Sequence, residues 1–385
     1  MPKVKTAIIG CGKVSDLHAK ALLQTAESKF VAVYSRNREK ARRYGEKYGV
    51  QGFDNIQEMI VSAGVEAVII CTPHPAHRAA AVIAADAGVH VLVEKPLAAN
   101  LADCDEMLAA AKKAKVKIGT VSQRRFYAPV QRVREAIDAG KIGRPALGTV
   151  LMLGWRDRKY YASDPWRGRW QAEGGGVLVN QAPHQLDLLQ WFMGPIVELF
   201  GVWSNINHPY IEVEDTAVAI VRFESGALGN IVVSNSQKPG IYGKVHVHGQ
   251  NGASIGVQTD GGAMFVAGMS SILEPPVNDL WTVAGEENML EQWRAEDSAL
   301  FNTLPDASVH YFHLQIRDFL RAILEDRQPL VSGEDGRKTV EIFTAIYRSQ
   351  KTNAPIKFPL QPEAADLDYS TYASLPVKSI CRNES

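Results

Sequence analysis

The sequence predicts an α/β protein in two parts: a doubly wound parallel sheet first, then a second α/β unit on a mostly antiparallel sheet. Three observations carry this. Over about the first 120 residues, short apolar runs alternate with stretches of helical period. The runs in that part are almost continuously apolar, as expected of strands buried on both faces. Beyond about residue 123, strand-like stretches follow one another directly, separated by turn signals such as Glu224-Ser225-Gly226 and Gln250-Asn251-Gly252.

Taken in order, Val4–Ile9 reads as a strand, and Val14–Thr25 as a helix with Val14, Leu17, Ala21 and Leu22 at helical spacing. Phe30–Tyr34 is a strand, Asn37–Tyr48 a charged helix, Ala67–Cys71 a strand and Ala76–Ala87 an alanine-rich helix. His90–Val93 (strand), Leu101–Lys115 (helix) and Lys117–Val121 (strand) complete the alternation, joined by right-handed crossovers. After a helix at Val130–Ala139 come strands at Leu147–Leu153, Ile196–Trp203, Thr216–Phe223, Ala227–Ser234 and Lys244–His248. A helix at Leu178–Phe192 interrupts them, and helices at Tyr311–Leu324 and Gly336–Arg348 follow. The expected organisation is residues 1–122, residues 123–359, and an extended C-terminal arm over 360–385. Neither an internal repeat nor a low-complexity tract interrupts this plan.

Composition narrows the function. Over 385 residues, 42 Lys+Arg balance 42 Asp+Glu, so no overall charge draws the chain to nucleic acid or to an anionic membrane. At 46% hydrophobic and 22% charged, it has the make-up of a globular protein with a full core. No apolar run approaches the roughly 18 residues of a membrane span, and the start is too short in apolar residues for a signal peptide. Cys11, Cys71, Cys104 and Cys381 form no CxxC pair. A cytoplasmic protein without metal, membrane or nucleic-acid partners is expected.

The stretch Ala7-Ile8-Ile9-Gly10-Cys11-Gly12-Lys13-Val14-Ser15 stands at the first strand–helix junction. Gly10 suits the tight turn. Gly12 lets the backbone approach a pyrophosphate lying on the helix N-terminus, beside Lys13 and Val14. Ser15 takes the place of the third glycine and is small enough for close packing. About twenty residues on, the second strand ends in Ser35-Arg36, with Arg38 close by, where an NAD site usually carries an acid. A hydroxyl and a guanidinium suit a 2′-phosphate, which favours NADP. Alternatively, Arg36 stacks on adenine and Ser35 tolerates either cofactor.

Glu94-Lys95-Pro96 follows a strand, at the carboxyl end of the sheet, where a lysine can polarise a substrate hydroxyl. The block from Glu173-Gly174-Gly175-Gly176 to Asn180-Gln181-Ala182-Pro183-His184 and Asp187 is the most specific in the chain. In one continuous helix, Asn180 and His184 would share a face. Pro183 argues for a late start instead. His184 can take a proton near neutral pH, and Asp187 would orient it, or cap or bridge.

Together with Thr72-Pro73-His74-Pro75-Ala76-His77, these motifs occur in an order and spacing that resembles the Gfo/Idh/MocA oxidoreductase family, over about residues 3–350. The resemblance implies a Rossmann NAD(P)-binding domain and a second domain with a large open sheet, used for substrate binding and oligomerisation. It implies nicotinamide-dependent hydride transfer at a secondary alcohol of a sugar, sugar derivative or cyclitol. Lys95 and His184 match the family's catalytic lysine and histidine. Asn180 stands where many members have aspartate. An amide takes no proton, so the acid/base role falls to His184, with Asn180 orienting substrate. Cys71, Thr72, Pro73, His74, Glu94, Pro96 and Gln123 would line the cofactor. His77 would join them, or pack as a helix residue. A cis bond before Pro96 is implied.

Arg125, Arg156, Tyr160 and Trp166 are expected to face the substrate, since rings and guanidinium groups suit sugar hydroxyls and carboxylates. The segment Glu274–Trp281 is expected to close on the site. The pairs His246/His248 and His310/His313 lack a third ligand nearby and carry no metal expectation. Two rivals share the motifs: a glycosidase that oxidises transiently and re-reduces, and a regulator that only senses the nucleotide. A homodimer or homotetramer is expected, pairing through the apolar face of Val218, Ile220, Ile231 and Val233.

Overall fold

The computed structural model describes residues 2–262 and 272–371. Its first sheet has six parallel strands: β1 (Val4–Ile9), β2 (Ser28–Tyr34), β3 (Gln51–Phe53), β4 (Ala67–Ile70), β5 (His90–Val93) and β6 (Ile118–Thr120). Their order is β3-β2-β1-β4-β5-β6. The connecting helices are α1 (Lys13–Gln24), α2 (Arg38–Tyr48), α3 (Ile56–Ala63), α4 (His77–Asp86) and α5 (Leu101–Ala114). β3 and α3 escape the sequence reading. Gln51 and Gly52 are exposed at the sheet edge, so β3 has no apolar signature. α3 does carry one, in Ile56, Met59 and Ile60 behind the capping side chain of Asn55. The chain moves outward from β1 to β3 and then returns to place β4 beside β1. That reversal opens a crevice beyond the carboxyl ends of β1 and β4.

The second sheet has eight strands: β7 (Pro145–Leu153), β8 (Ile196–Ser204), β9 (Thr216–Phe223), β10 (Leu228–Ser234), β11 (Tyr242–Gly249), β12 (Ser254–Gly261), β13 (Val277–Trp281) and β14 (Ile356–Lys357). They are ordered β13-β12-β11-β7-β10-β9-β8-β14. β7 and β10 pair in parallel and the other neighbours antiparallel. Helix α6 (Ala128–Asp138) leads into β7. Between β7 and β8 lie the short helices α7 (Arg158–Ala162), α8 (Trp170–Glu173) and α9 (Val177–Asn180), then α10 (Pro183–Met193). The single helix expected over Leu178–Phe192 is therefore broken at Gln181-Ala182. Pro183 has no N–H to give and sits in the first turn of α10, where none is needed.

After β13 come α11 (Met289–Thr303), α12 (Ala307–Leu324) and α13 (Gly333–Thr352). α12 returns to the first sheet: its Val309, Phe312, Ile316, Phe319 and Leu320 share an apolar cluster with Ile8, Leu22, Val33 and Leu92. The described part of the C-terminal segment is not an extended arm. It forms two 3₁₀ turns, with Arg348 paired to Glu363 and Asp366 and Tyr369 stacked on Trp170. The apolar face of the second sheet is also composed differently from expectation. Val232 pairs with Val218 and Ile231 with Ala219. Alternation therefore sends Ile231 and Val233 into the core (0% exposed), while Val218 (42%) and Ile220 (64%) face outward.

Candidate active site

The glycine turn closes as the motif requires. Gly10 has φ +106°, and a Cβ there would lie 2.8 Å from the carbonyl oxygen of Cys71 at the end of β4. Gly12 is the N-cap of α1. Ser15 fills the third position with a hydrogen-bonded hydroxyl. It donates to the Gly12 carbonyl (2.5 Å) and accepts from the Tyr44 hydroxyl (2.9 Å). At the end of β2, Ser35 accepts from the Asn37 N–H, and Asn37 caps α2. Arg36 and Arg38 are exposed and, among the described residues, have no ion-pair or hydrogen-bond partner.

Beyond β4 the loops of the two sheets meet around a cleft of about 240 Å³. Gly12, Lys13, Val14, Cys71, Thr72, Pro73, His74, Glu94, Lys95 and Gln123 line it from the first part of the chain. Arg156, Tyr160, Trp166, Asn180 and His184 line it from the second. Glu94 accepts from the buried His18 ring (2.7 Å). Burial opposes the charge of Glu94, but His18 and Lys95 hold its carboxyl below the usual range. The Lys95–Pro96 bond is cis. The Lys95 ammonium donates to the carbonyl oxygen of Asn180 (2.7 Å) and to its side-chain oxygen (3.3 Å). Burial lowers this ammonium to about 8.

Behind Lys95 lies an acid that the motif reading did not assign. Glu173 accepts from the Asn180 amide nitrogen and from the Gly168 N–H. Burial pushes it up to about 7. A second buried acid, Glu214, reaches from the loop before β9 to the start of α9. It accepts from the N–H groups of Gly176 and Leu178 and from the Tyr347 hydroxyl. Orphan donors at the start of a helix need such an acceptor. Gly176 allows the approach, since a Cβ there would lie 1.8 Å from the Glu214 carbonyl oxygen.

His184 is almost wholly buried, and neither ring nitrogen hydrogen-bonds a described residue. Burial, with the nearby cations Arg124 and Lys95, holds it well below the usual imidazole range. Tyr160 is held by three donors to its hydroxyl oxygen: Arg167 (2.6 Å), Gln181 (2.8 Å) and Asn180 (3.2 Å). The guanidinium groups of Arg167 and Arg156 lie over its ring. Asp164 joins Arg167 to Lys13 across the mouth of the cleft.

Several expected residues lie elsewhere. Arg125 does not face the cleft: its guanidinium is buried on Asp187, Asp335 and the Leu330 carbonyl. Asp187 serves Arg125 and Ser122, so it does not orient His184. His77 is fully buried among the carbonyls of Thr72, Pro96 and Leu97, stapling two loops rather than lining the cleft. Pro96 is also absent from the walls, whereas Gly10, Ser35, Arg36 and Arg38 stand just beyond the carboxyl ends of β1 and β2 rather than on the walls. The segment Glu274–Trp281 does not close on the site. It supplies β13 at the far sheet edge, where Asp279 pairs with His246 and Lys244. Among the described residues no three His, Cys, Asp or Glu converge as a metal site, and no helix is long and apolar enough to cross a membrane.

Comparison with known proteins agrees with this fold. Residues 4–121 match "Oxidoreductase family, NAD-binding Rossmann fold", and residues 130–255 match "GFO/IDH/MocA C-terminal domain". Among characterised proteins, the chain is 28% identical to a myo-inositol 2-dehydrogenase from Thermotoga maritima, over 92% of this chain and 98% of that one. It is 26% identical to a 1,5-anhydro-D-fructose reductase from Ensifer adhaerens, over 90% and 96%. Among solved structures, it is similar to the WlbA dehydrogenase from Bordetella pertussis in complex with NADH and UDP-GlcNAcA. There the TM-score is 0.82 and the identity 28%, over 94% of this chain and 99% of that one.

Proposed function

Because the chain belongs to the Gfo/Idh/MocA family of NAD-binding oxidoreductases, we propose that it oxidises a secondary alcohol of a sugar, sugar derivative or cyclitol, or reduces the matching ketone. The observation that carries this is the pairing of His184 and Lys95 on one cleft. His184 is neutral at pH 7 with both ring nitrogens unengaged, and Lys95 has two of its three N–H bonds fixed on Asn180. The third is left for a substrate oxygen.

The residues present fit a nicotinamide dinucleotide. The turn at Gly10 and Gly12 and the start of α1 form a cradle for a pyrophosphate. Thr72 and Gln123 each leave a buried polar oxygen without a partner beside the same cleft. Gly10, Gly12, Lys13 and Val14 would hold the phosphates. Cys71, Thr72, Pro73, His74, Glu94 and Gln123 would hold the nicotinamide end. The cofactor, when bound, supplies the hydride acceptor or donor. His184 accepts the hydroxyl proton as the carbonyl forms, and Lys95 stabilises the oxygen that loses it. Asn180 does not hand over a proton: its amide is spent on Lys95, Glu173 and Tyr160, so it fixes the lysine. Ser35 with the unpaired Arg36 and Arg38 favours NADP.

The test is reduction of NAD+ and NADP+ across a panel of sugars and cyclitols, with wild type and His184→Ala. A loss of kcat of at least about 100-fold is expected in the variant, and an unchanged kcat would sink the assignment. We further propose residues 1–122 as the cofactor part, residues 123–359 as the substrate part, and self-association through the face bearing Val202, Val218, Ile220 and Leu228. Sedimentation at the monomer mass would refute that last point.

A further inference from the structure

The sequence points to Arg125 as a substrate contact, but the structure turns its neighbour to the cleft. Arg124 belongs to the single 3₁₀ turn Gln123–Phe126 that follows β6. It is 4% exposed and lines the cleft together with Lys95 and His184. Only one nitrogen is used: Nη2 donates to Asp260 (2.7 Å). Nε and Nη1 are both buried and make no hydrogen bond, although the Tyr127 hydroxyl, itself without one, stands beside the guanidinium on the same cleft. Asp260 cannot serve them, because its other oxygen already accepts from Gln185 (2.8 Å) and Thr259 (2.9 Å).

Leaving charged donors buried and unmade is costly. The arrangement is explicable if a ligand brings the acceptor. The surroundings specify its sign. Five Lys and Arg side chains line the cleft against two carboxylates, Glu94 and Asp164. Glu94 is engaged by His18, and Asp164 by Lys13 and Arg167. At positions 180 and 181 the wall presents amides, not acids, so nothing there repels an anion. The pyrophosphate cradle at Gly12 and Lys13 takes its charge from α1 and Lys13, and leaves Arg124 unspent.

We propose that Arg124 is the anion-binding residue of the substrate pocket and that the substrate is an acidic sugar or cyclitol. Its carboxylate accepts from Nε or Nη1 of Arg124 while a hydroxyl of the same molecule meets Lys95 and His184. This rests on the dehydrogenase reading above, so recognition and turnover are measured apart.

Recognition is read by titrating NADPH-loaded and NADH-loaded protein with glucuronate, glucose and glucose 1-phosphate. Turnover is read by NAD(P)+ reduction with the same probes. Wild type is expected to bind glucuronate at least about tenfold more tightly than glucose. Arg124→Lys and Arg124→Gln are compared, using whichever keeps the wild-type circular dichroism and melting curve. The glucuronate preference should fall by about 10-fold to 100-fold, since one charge-assisted bond is lost, and NADH affinity should change less than about threefold. Equal binding of glucose and glucuronate by wild type would overturn the proposal. So would a preference retained in the variants, or a loss of NADH affinity that shows the donors serve the cofactor. Preference for glucose 1-phosphate over glucuronate would reject the carboxylate in favour of a phosphate. A glucuronate preference without turnover would uphold Arg124 and remove the dehydrogenase reading.

Discussion

Replacing Arg125 by methionine separates a structural arginine from a substrate contact. Its guanidinium donates to both oxygens of Asp187 (2.9 and 2.6 Å), to Asp335 (3.2 Å) and to the Leu330 carbonyl (3.0 Å). It also lies over the Trp191 ring (4.8 Å). Methionine keeps the apolar stem but leaves Asp187 with the Ser122 hydroxyl alone among described partners. Breaking one side of a buried ion pair costs about 3–5 kcal/mol, because the other charge stays buried and uncompensated. For 385 residues unfolding together, at about 2.1 cal/mol/K per residue, that is a fall in Tm of roughly 4–6 °C. Calorimetry reads the fall. Adding Asp187→Leu should restore most of it, since a buried pair exchanged for apolar side chains is often neutral. Substrate KM, once a substrate is in hand, should shift less than the Arg124 variants shift it. An unchanged Tm with a KM raised tenfold would refute the reasoning and return Arg125 to the substrate.

Three further outcomes follow from the structure. Burial holds Lys95 near pH 8 in the folded chain against 10.5 unfolded. Between those values the unfolded chain binds more protons, so stability rises with pH there, by at most about 3 kcal/mol. Below about pH 8 both states are protonated and the penalty is constant. Denaturation midpoints of wild type and Lys95→Met, compared from pH 7 to 11, should converge as pH rises; a parallel pair of curves would count against the buried ammonium. Gly176→Ala places a Cβ 1.8 Å from the Glu214 carbonyl and shifts the turn that carries Asn180. A displacement of about 1 Å should lower kcat/KM by about 100-fold. Gly49→Ala, with nothing within 4 Å of its Cβ but φ +69°, should cost only about 1 kcal/mol in stability.

How much of this was legible in the sequence depends on the kind of signal. The parallel sheet was, because a near-continuous apolar run such as Val4–Ile9 followed by a helical period has few other readings. β3 was not, being three residues long with two of them exposed at an edge. The glycine turn and the Glu94-Lys95-Pro96 and Asn180…His184 motifs marked one side of the cleft each. That they face each other is a property of the fold: the Lys95 ammonium meets the Asn180 carbonyl across 85 residues of sequence. Face assignment in the second sheet needed the register. Val218 and Ile231 are both apolar, but Ile231 pairs with Ala219, so the two point to opposite sides.

Arg124 and Arg125 show most sharply where residue type stops being informative. In a 3₁₀ turn successive side chains leave the axis about 120° apart, so two adjacent arginines must meet different surroundings. Which one faces the cleft depends on the phase of the turn, and the phase depends on acids that lie far away in sequence. Asp187 and Asp335 claim Arg125, and Asp260 claims one edge of Arg124. The same reasoning limits what the overall balance of 42 against 42 can say. A neutral chain can still enclose a cationic cleft, because an ion pair neutralises only the donors it reaches. Asp260 reaches one nitrogen of Arg124 and leaves two. Substrate charge is therefore governed by leftover donors rather than by net charge, and those become visible only when every acid in the fold has been assigned its partner.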